Sequence, residues 1–213
     1  MTRQLELFGK AAAHTCTTPA EHVRVKNLLY VPSYLSSAEQ RQLLMCIDGQ
    51  PWLSDLQRRV QHYGYRYDYK ARRVEAKMRL GPLPDWAQEL AARLHDCSFF
   101  DQVPDQAIVN EYTPGQGISP HVDCEPCFGP TIASVSLGSP VVMVFTHVDS
   151  SDRVELLLET GSLVLLRGDA RYLWKHSIPA RKTDRVGDQV IKRNLSIGMR
   201  QPLRRFTEAP PVS

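Results

Sequence analysis

The sequence predicts a mainly β protein with buttressing helices, built as a double-stranded β-helix, or jelly roll. Its second half carries many short β-rich runs separated by Gly, Pro and Asp residues, and no helical crossover lies between them. That spacing favours an antiparallel sandwich or jelly roll over a parallel α/β sheet. The predicted strands are 108–112, 132–137, 141–148, 154–158, 163–166, 172–178 and 195–199.

Two helices are predicted before the β-rich region. Ser36 and Glu39 have the spacing of a capping box, in which each side chain pairs with a backbone N–H at the start of a helix. Gly49 ends this first helix. A second helix begins near Asp85, and its large apolar residues recur every four positions on one face. These residues are Trp86, Leu90 and Leu94.

Composition limits the class of protein. The chain has 213 residues, 42% hydrophobic and 23% charged, which fits one globular domain and excludes overall disorder. A net charge of +3 is too small for an indiscriminate electrostatic nucleic-acid binder. The five cysteines are odd in number and scattered, and Cys124-x-x-Cys127 has no second pair. With no apolar signal core and no membrane-spanning stretch, we expect a cytoplasmic protein.

The expected organisation is one domain between two tails. Residues 1–22 and 206–213 lack a sustained hydrophobic period, whereas residues 23–205 carry the predicted elements. Within the first tail, Gln4-Leu5-Glu6-Leu7-Phe8 is a short amphipathic piece. In a free tail its three apolar side chains would stay exposed to water, so we expect the piece to pack on the core or to bind a partner.

Two His-x-Asp patterns mark candidate metal ligands. His121 and Asp123 follow a Pro-Gly turn that delivers them to the start of a strand, whereas His147 and Asp149 lead into a polar loop. We therefore favour the first pair, with His176 as the third ligand. Two histidines and one carboxylate occupy one face of a ferrous ion and leave positions for a chelating cosubstrate and dioxygen. A competing zinc hydrolase would need a general base or a His-Glu-x-x-His helix, and the sequence shows neither.

Residues 58–79 form a segment that we call the lid. It holds eight basic residues against two acidic ones, interleaved with half of the tyrosines in the chain. Cations that neutralise phosphates, beside rings that stack on bases, are typical of a nucleic-acid contact. A solvated β-hairpin whose tyrosines cover the edge of the core is the alternative interpretation.

Residues 23–205 resemble the AlkB family of Fe(II)- and 2-oxoglutarate-dependent dioxygenases. The resemblance rests on Asn110-x-Tyr112, on His121-x-Asp123 and on His176. The stretches 134–139, 171–176 and 178–182 are most similar to the branch with the tRNA-modifying AlkB homologue and its bacterial relatives. The family implies an iron triad of these histidines and aspartate, with Asn110 and Tyr112 contacting 2-oxoglutarate.

One strand departs from the family's Arg-x-(Ser/Asn)-x-(Thr/Ser)-x-Arg. Ser196 and Arg200 fit the pattern, and the resemblance implies that they are cofactor-binding residues. The first Arg position of the pattern, however, falls on Asn194. That arginine pairs with the distal carboxylate of 2-oxoglutarate in the family, and a buried carboxylate needs a cation. We therefore expect Arg193 to enter through a bulge, helped by Asn194 and Tyr112. Lys192 is the alternative donor, and an exposed basic pair is the competing interpretation.

Further similarities concern substrate and partner. The stretch 59–65 resembles the family's nucleotide-recognition segment, and Glu125 matches a position where the family places a substrate-contacting carboxylate. The substrate-binding residues implied are Arg59, His62, Tyr63, Tyr65 and Glu125. The piece 4–8 is similar to the bacterial sliding-clamp-binding pentapeptide, whose pocket-filling residues would be Gln4, Leu5, Leu7 and Phe8.

The resemblance implies an enzyme. We expect an Fe(II)- and 2-oxoglutarate-dependent dioxygenase that demethylates or hydroxylates alkylated bases, in DNA repair or RNA modification. Two alternatives stay open, namely a protein-directed oxygenase of the same fold and a non-enzymatic nucleic-acid binder with a vestigial site. The sequence does not separate DNA from RNA as the substrate.

Overall fold

The computed structural model describes residues 16–54 and 56–204. Short antiparallel strands make up most of this part, and helices flank them. The helices are α1 (Ser37–Asp48), α2 (Asp85–Asp96) and α3 (Gly168–Tyr172), with a 3₁₀ turn at Ala76–Met78. The strands are β1 (Ala20–Glu21), β2 (Leu28–Val31), β3 (Val60–Tyr63), β4 (Ala107–Tyr112), β5 (Ile118–His121), β6 (Phe128–Gly138), β7 (Val141–His147), β8 (Arg153–Leu158), β9 (Leu163–Leu166), β10 (Trp174–Ile178), β11 (Thr183–Val186), β12 (Gln189–Lys192) and β13 (Ser196–Arg204).

Two antiparallel sheets form the framework. The larger has seven strands in the order β1-β2-β9-β6-β13-β4-β3, and the smaller has four in the order β5-β10-β7-β8. Strands β11 and β12 form a separate hairpin. Apolar side chains of both sheets, including Ile108, Ile132, Val141 and Phe145, share one core cluster, so the sheets lie face to face. The jelly roll predicted from the sequence is confirmed.

Strand β13 shows how the larger sheet separates its two faces. Ile197 and Met199 belong to the core cluster that includes α1 and α2. Ser196, Gly198 and Arg200 alternate with them and line the cavity between the sheets. The helices thus bury the outer face of the sheet, while its inner face is free to carry polar groups.

Both predicted helices are present. The amide of Glu39 donates to Ser36 Oγ over 3.3 Å, and the amide of Ser36 donates to Glu39 Oε2 over 2.6 Å, which completes the capping box. Helix α2 buries the apolar residues that its spacing predicts. These are Trp86, Leu90 and Leu94.

The structure departs from the sequence prediction near residue 172. The predicted strand 172–178 begins only at Trp174, because Tyr172 ends helix α3. Gly168 begins this turn with φ +40°, beside the side chain of Asn27. The turn places Arg171 in the interior, where only 1% of it is exposed.

Four of the five cysteines are paired in disulfides. Disulfides join Cys16 to Cys97 and Cys124 to Cys127, and Cys46 is free. The sulfurs of Cys124 and Cys127 lie 3.1 and 3.3 Å from the carbonyl oxygen of Arg72. The turn after Asp123 therefore contacts the lid directly.

Residues 1–15 and 205–213 lie outside the described part, and the 4–8 piece lies among them. The boundary proposed between tail and domain at residue 22 falls close to the short pairing of β1 with β2. In the described part of the chain, no helix has the length and apolar character required to span a membrane.

Candidate active site

Strand pairing brings the three predicted metal ligands together. His121 ends β5 and lies directly opposite His176 of β10, with ring centroids 4.4 Å apart. Asp123 follows β5 by two residues. Nε2 of His121 lies 3.8 Å from Asp123 Oδ1, and Nε2 of His176 lies 3.8 Å from Asp123 Oδ2. Ligand atoms of all three residues lie within 4.8 Å of one another, close enough to share one metal ion.

The donor set fits a ferrous ion. Asp123 is buried, and its Oδ2 has no hydrogen-bond partner among the described residues. A buried carboxylate oxygen without a donor costs free energy, and a cation at this point would remove the cost. Two imidazoles and one carboxylate on one side of the ion leave the other positions open, as in non-haem Fe(II) oxygenases.

Both histidines are in the form that binds a metal. Burial, together with His176, lowers the pKa of His121 to about 3. Burial also lowers the pKa of His176 to about 4, and the charge of Arg171 adds to the effect. Nδ1 of His121 donates to the carbonyl oxygen of Ser119 over 2.8 Å, which leaves the Nε2 lone pair for the metal.

Two arginines hold Asp123 in place, one through its carboxylate and the other through its backbone carbonyl. Nη1 of Arg200 contacts Asp123 Oδ1, and the guanidinium lies over the ring of Phe128 at 5.2 Å from its centroid. Buried Arg171 donates to the backbone carbonyls of Asp123, Gly129 and Cys124 over 3.0, 3.3 and 3.4 Å. No role of Arg171 follows from the sequence, because nothing in the local pattern shows that its side chain is buried.

A cavity of about 490 Å³ opens from this site. Its volume is in the range of small-molecule sites. One wall is the inner face of the larger sheet, with the hydroxyls of Ser134, Ser136 and Ser196, and another carries apolar residues of the smaller sheet such as Met143. Four lid residues also line it, namely Arg58, Tyr67, Tyr69 and Arg72.

Comparison with known proteins gives the family. A model of the 2OG-Fe(II) oxygenase superfamily matches residues 33–204, most of the chain. The chain belongs to the 2OG-Fe(II) oxygenase superfamily. This superfamily uses Fe(II), 2-oxoglutarate and dioxygen, so His121, Asp123 and His176 form the candidate iron site of this oxygenase.

AlkB homologues are among its relatives. It is 36% identical over 215 residues to the "Alkylated DNA repair protein ALKBH8 homolog" of Arabidopsis thaliana, a match that covers 89% of this chain and 62% of the relative. It is 36% identical over 170 residues to the "tRNA (carboxymethyluridine(34)-5-O)-methyltransferase ALKBH8" of Macaca fascicularis, covering 75% of this chain and 25% of that protein. The chain therefore spans less than two thirds of these relatives.

A solved structure agrees with the fold. OsALKBH1 superposes with a TM-score of 0.66 at 15% identity, and the match covers 86% of this chain and 99% of that one. At this identity the likeness supports the jelly-roll fold of the oxygenase and nothing finer.

Four residues predicted to contact 2-oxoglutarate line the cavity of this oxygenase. They are Asn110, Tyr112, Ser196 and Arg200. Tyr112 is paired with Ser196 across β4 and β13, and Asn110 is paired with Gly198. Burial raises the pKa of Tyr112, so its hydroxyl stays protonated and can donate a hydrogen bond. Asn194 is exposed and does not line the cavity.

Arg193 is placed differently from the prediction. Its Nε and Nη2 donate to the two carboxylate oxygens of Asp184 over 2.6 and 2.7 Å, and its Nη1 donates to the carbonyl of Pro179 over 2.7 Å. Only 4% of Arg193 is exposed, and it does not line the cavity. Lys192, the alternative donor, is exposed on β12. Neither Arg193 nor Lys192 lines the cavity.

Asp184 is the anchor of the hairpin next to the cavity. Besides Arg193, it accepts hydrogen bonds from Nε of Arg181 over 2.6 Å and from the amide of Val142 over 3.1 Å. Burial alone would raise the pKa of Asp184, but the bonds from Arg193, Val142 and Arg181 together lower it below its usual value. The Asp184 carboxylate thus ties the β11–β12 hairpin to β7 through the amide of Val142.

The lid reaches the cavity with other residues than those predicted. Arg59 forms a bidentate pair with Glu111 over 2.6 Å, Tyr63 packs edge-on against Trp86, and Tyr65 lies in the core. His62 lies beside Tyr69, with ring centroids 5.7 Å apart, and Glu125 is exposed in the turn after the ligand. The predicted substrate-binding set, residues 59, 62, 63, 65 and 125, does not line the cavity.

His147 leads into a polar loop, as the sequence predicts. It ends β7, and its Nδ1 accepts a hydrogen bond from the amide of Asp149 over 3.1 Å. It therefore lies outside the group of candidate ligands and serves as a control position.

The Asp184→Asn substitution is expected to destabilise the fold. It leaves the Arg193 guanidinium buried without its counter-charge, which costs about 3–5 kcal/mol in the free energy of unfolding. Urea unfolding followed by circular dichroism measures the difference. Asp188→Asn, an exposed position in the turn of the same hairpin, should change the free energy by less than about 0.5 kcal/mol.

The stabilisation that Asp184 provides is also expected to depend on pH. Because the pKa of Asp184 is lower in the folded protein, its contribution is complete above about pH 4 and is lost as the pH falls below that value. The Asp184→Asn protein should lack this component of the acid-induced loss. Equal unfolding free energies for Asp184→Asn and Asp188→Asn would show that the ion pair between Asp184 and Arg193 does not stabilise the hairpin.

Proposed function

We propose that the protein is an Fe(II)- and 2-oxoglutarate-dependent dioxygenase that oxidises an N-alkyl group, or a related carbon, on a nucleic-acid base. The observation that carries the proposal is that the candidate iron triad lies in a cavity lined in part by the basic, tyrosine-rich lid. Relatives named for alkylated DNA repair and for tRNA modification support a nucleic acid as the substrate.

The iron and its cosubstrate supply the oxidation. Dioxygen and 2-oxoglutarate are consumed, carbon dioxide and succinate are released, and one oxygen atom enters a C–H bond of the substrate. When that carbon is an N-methyl group, the hydroxymethyl product loses formaldehyde and returns the N–H. The protein's contribution is to bind, to orient and to exclude water.

Residues of the inner wall orient Asp123 and can hold the bound cosubstrate. Arg200 holds Oδ1 of Asp123, so the unpartnered Oδ2 is the oxygen left for the metal. Arg171 holds the backbone of the same segment. Asn110 and Tyr112 project from β4 into the cavity beside β13, where their amide and hydroxyl can hydrogen-bond the carboxylates of the bound acid.

The lid is suited to hold a base. Tyr67 and Tyr69 pack edge to face, with ring centroids 4.9 Å apart, and Tyr67 also lies against Phe128 at 5.4 Å. The hydroxyl of Tyr69 is buried, with no hydrogen-bond partner in residues 16–54 and 56–204. Arg72 donates to the carbonyl of Val122 over 3.2 Å and joins the lid to the iron segment. An unstacked base entering here would meet aromatic faces and a polar hydroxyl.

Turnover tests the enzymatic proposal. Wild-type protein with Fe(II), ascorbate and 2-oxoglutarate should form succinate faster when single-stranded oligonucleotides with N-methylated bases are added. His121→Ala and His176→Ala each remove one iron ligand and should abolish the stimulation. His147→Ala is the matched control and should keep it, since His147 lies outside the triad.

The same assay separates the alternatives. Methylated DNA, methylated tRNA and protein extract are compared side by side as stimulating substrates. Stimulation by protein extract alone would replace the proposal with a protein-directed oxygenase. Oligonucleotide binding that leaves succinate formation unstimulated by any substrate would indicate a binder with a vestigial site.

The ring of Tyr69 is expected to contribute to nucleic-acid binding. Tyr69→Ala should weaken the binding of single-stranded oligonucleotides by roughly 5- to 150-fold, the range given by loss of one base–ring stack. Tyr69→Phe keeps the ring and should bind within about twofold of the wild type, a difference below 0.5 kcal/mol. Fluorescence anisotropy measures both. Equal affinities for the alanine variant and the wild type would remove Tyr69 from the substrate site.

We also propose a DNA sliding clamp as a partner. The support is the pentapeptide Gln4-Leu5-Glu6-Leu7-Phe8, which lies outside the described residues. A clamp that works on the chromosome implies the cytoplasmic location expected from the sequence. Purified bacterial clamp should be retained by the full-length protein and lost with Leu7→Ala and Phe8→Ala together. Absence of retention by the wild type contradicts this partner.

A further inference from the structure

The distal carboxylate of 2-oxoglutarate needs a cation in this oxygenase, and the strand position that would supply it carries Asn194. Arg193 is committed to Asp184, and Lys192 is exposed. Arg200 is committed to Asp123 at the iron end of the cavity. A buried carboxylate without a positive partner would cost several kcal/mol, so the remaining cations that line the cavity are the candidates.

The cavity wall next to the candidate iron site has room for the carbon chain of 2-oxoglutarate. Gly198 lies two residues before Arg200, about 7 Å along the strand, and faces the same side. It is paired with Asn110 on one neighbouring strand and with Ser136 on the other. A methyl group added at Gly198 would meet no heavy atom within 4 Å in the described structure, so an acid bound to the iron can extend over this position.

Arg58 reaches this point from the lid. Its Nε donates to Oδ1 of Asn110 over 2.9 Å, so the guanidinium lies next to the residue paired with Gly198. The guanidinium carbon lies 5.8 Å from the ring centroid of Tyr112 and 5.6 Å from that of Tyr69. Asn110 and the two rings therefore hold the charge at the cavity wall.

Arg58 also has guanidinium donors available for a ligand. Across residues 16–54 and 56–204 no carboxylate pairs with it, and the bond to Asn110 uses only Nε. Arg72 lines the cavity as well, but it is exposed and its Nη2 already donates to the carbonyl of Val122. A half-buried guanidinium with free Nη donors is suited to bind a carboxylate through two hydrogen bonds.

We propose that Arg58 binds the distal carboxylate of 2-oxoglutarate, with Asn110, Tyr69 and Tyr112 positioning the guanidinium. The proposal rests on the cosubstrate of the proposed function and adds the residue that selects it. The cation comes from the lid and not from β13.

Calorimetric binding to Mn(II)-loaded protein tests the role of Arg58 without turnover. The two ligands are 2-oxoglutarate and 2-oxopentanoate, which has the same 2-oxo acid end and carbon chain but lacks the distal carboxylate. Arg58→Gln should raise the Kd for 2-oxoglutarate by roughly 10- to 150-fold, the range for a lost hydrogen bond to a charged group. It should leave the Kd for 2-oxopentanoate within about twofold of the wild type, because no distal charge is present to lose.

Two further variants serve as controls. Lys192→Gln removes an exposed cation outside the cavity and should leave both affinities unchanged. Arg58→Lys keeps the charge but loses the two-pronged geometry, and its affinity for 2-oxoglutarate should lie between those of the wild type and Arg58→Gln.

Other results would overturn the assignment. Equal weakening of both ligands would place Arg58 at the shared 2-oxo acid end, and an unchanged affinity for 2-oxoglutarate would remove it from the site. A weaker affinity for 2-oxoglutarate in Lys192→Gln alone would assign the role to Lys192. Failure of the wild type to bind 2-oxoglutarate at all would contradict the proposed function itself, which separates the two failures.

Discussion

The burial of the Asp123 carboxylate between two neutral histidines is the constraint on which the site depends. One carboxylate oxygen contacts Arg200, and the other faces His176 without a hydrogen-bond donor among the described residues. The backbone of Asp123 is fixed by Arg171, which is almost fully buried. A carboxylate held in this way is costly in the free protein and favourable once a cation binds, so the fold prepares the site for a metal.

The larger sheet turns this local constraint into a cavity. Alternate residues of β13 serve two purposes, because Ile197 and Met199 pack against the helices while Gly198 and Arg200 face the candidate iron site. The helices therefore stabilise a wall whose inner surface is polar. The β11–β12 hairpin is held separately through Asp184 and Arg193, which explains why a buried arginine one residue from the family position serves the fold and not the cosubstrate.

The sequence was sufficient for the parts that depend on local pattern. The capping box at Ser36 and the short strands of the jelly roll follow from local spacing. The grouping of His121 with His176 was predicted from the ligand set that a ferrous ion needs, and the pairing of β5 with β10 brings the two residues together. The positions of Arg193 and of the lid residues did not follow, because each depends on a distant partner. Arg193 is held by an aspartate across a hairpin, and alternation along the lid does not reveal which tyrosines face the cavity.

One cavity thus combines the candidate iron triad, the proposed cosubstrate contact at Arg58 and a lid suited to a nucleic-acid base. A crystal structure of the full-length protein with Mn(II) and 2-oxoglutarate tests this arrangement most directly, with the metal located by its anomalous scattering. We expect Mn(II) bound to Nε2 of His121, Oδ2 of Asp123 and Nε2 of His176, with the distal carboxylate hydrogen-bonded to Arg58. A metal bound elsewhere, or a distal carboxylate that contacts a different cation, would contradict it.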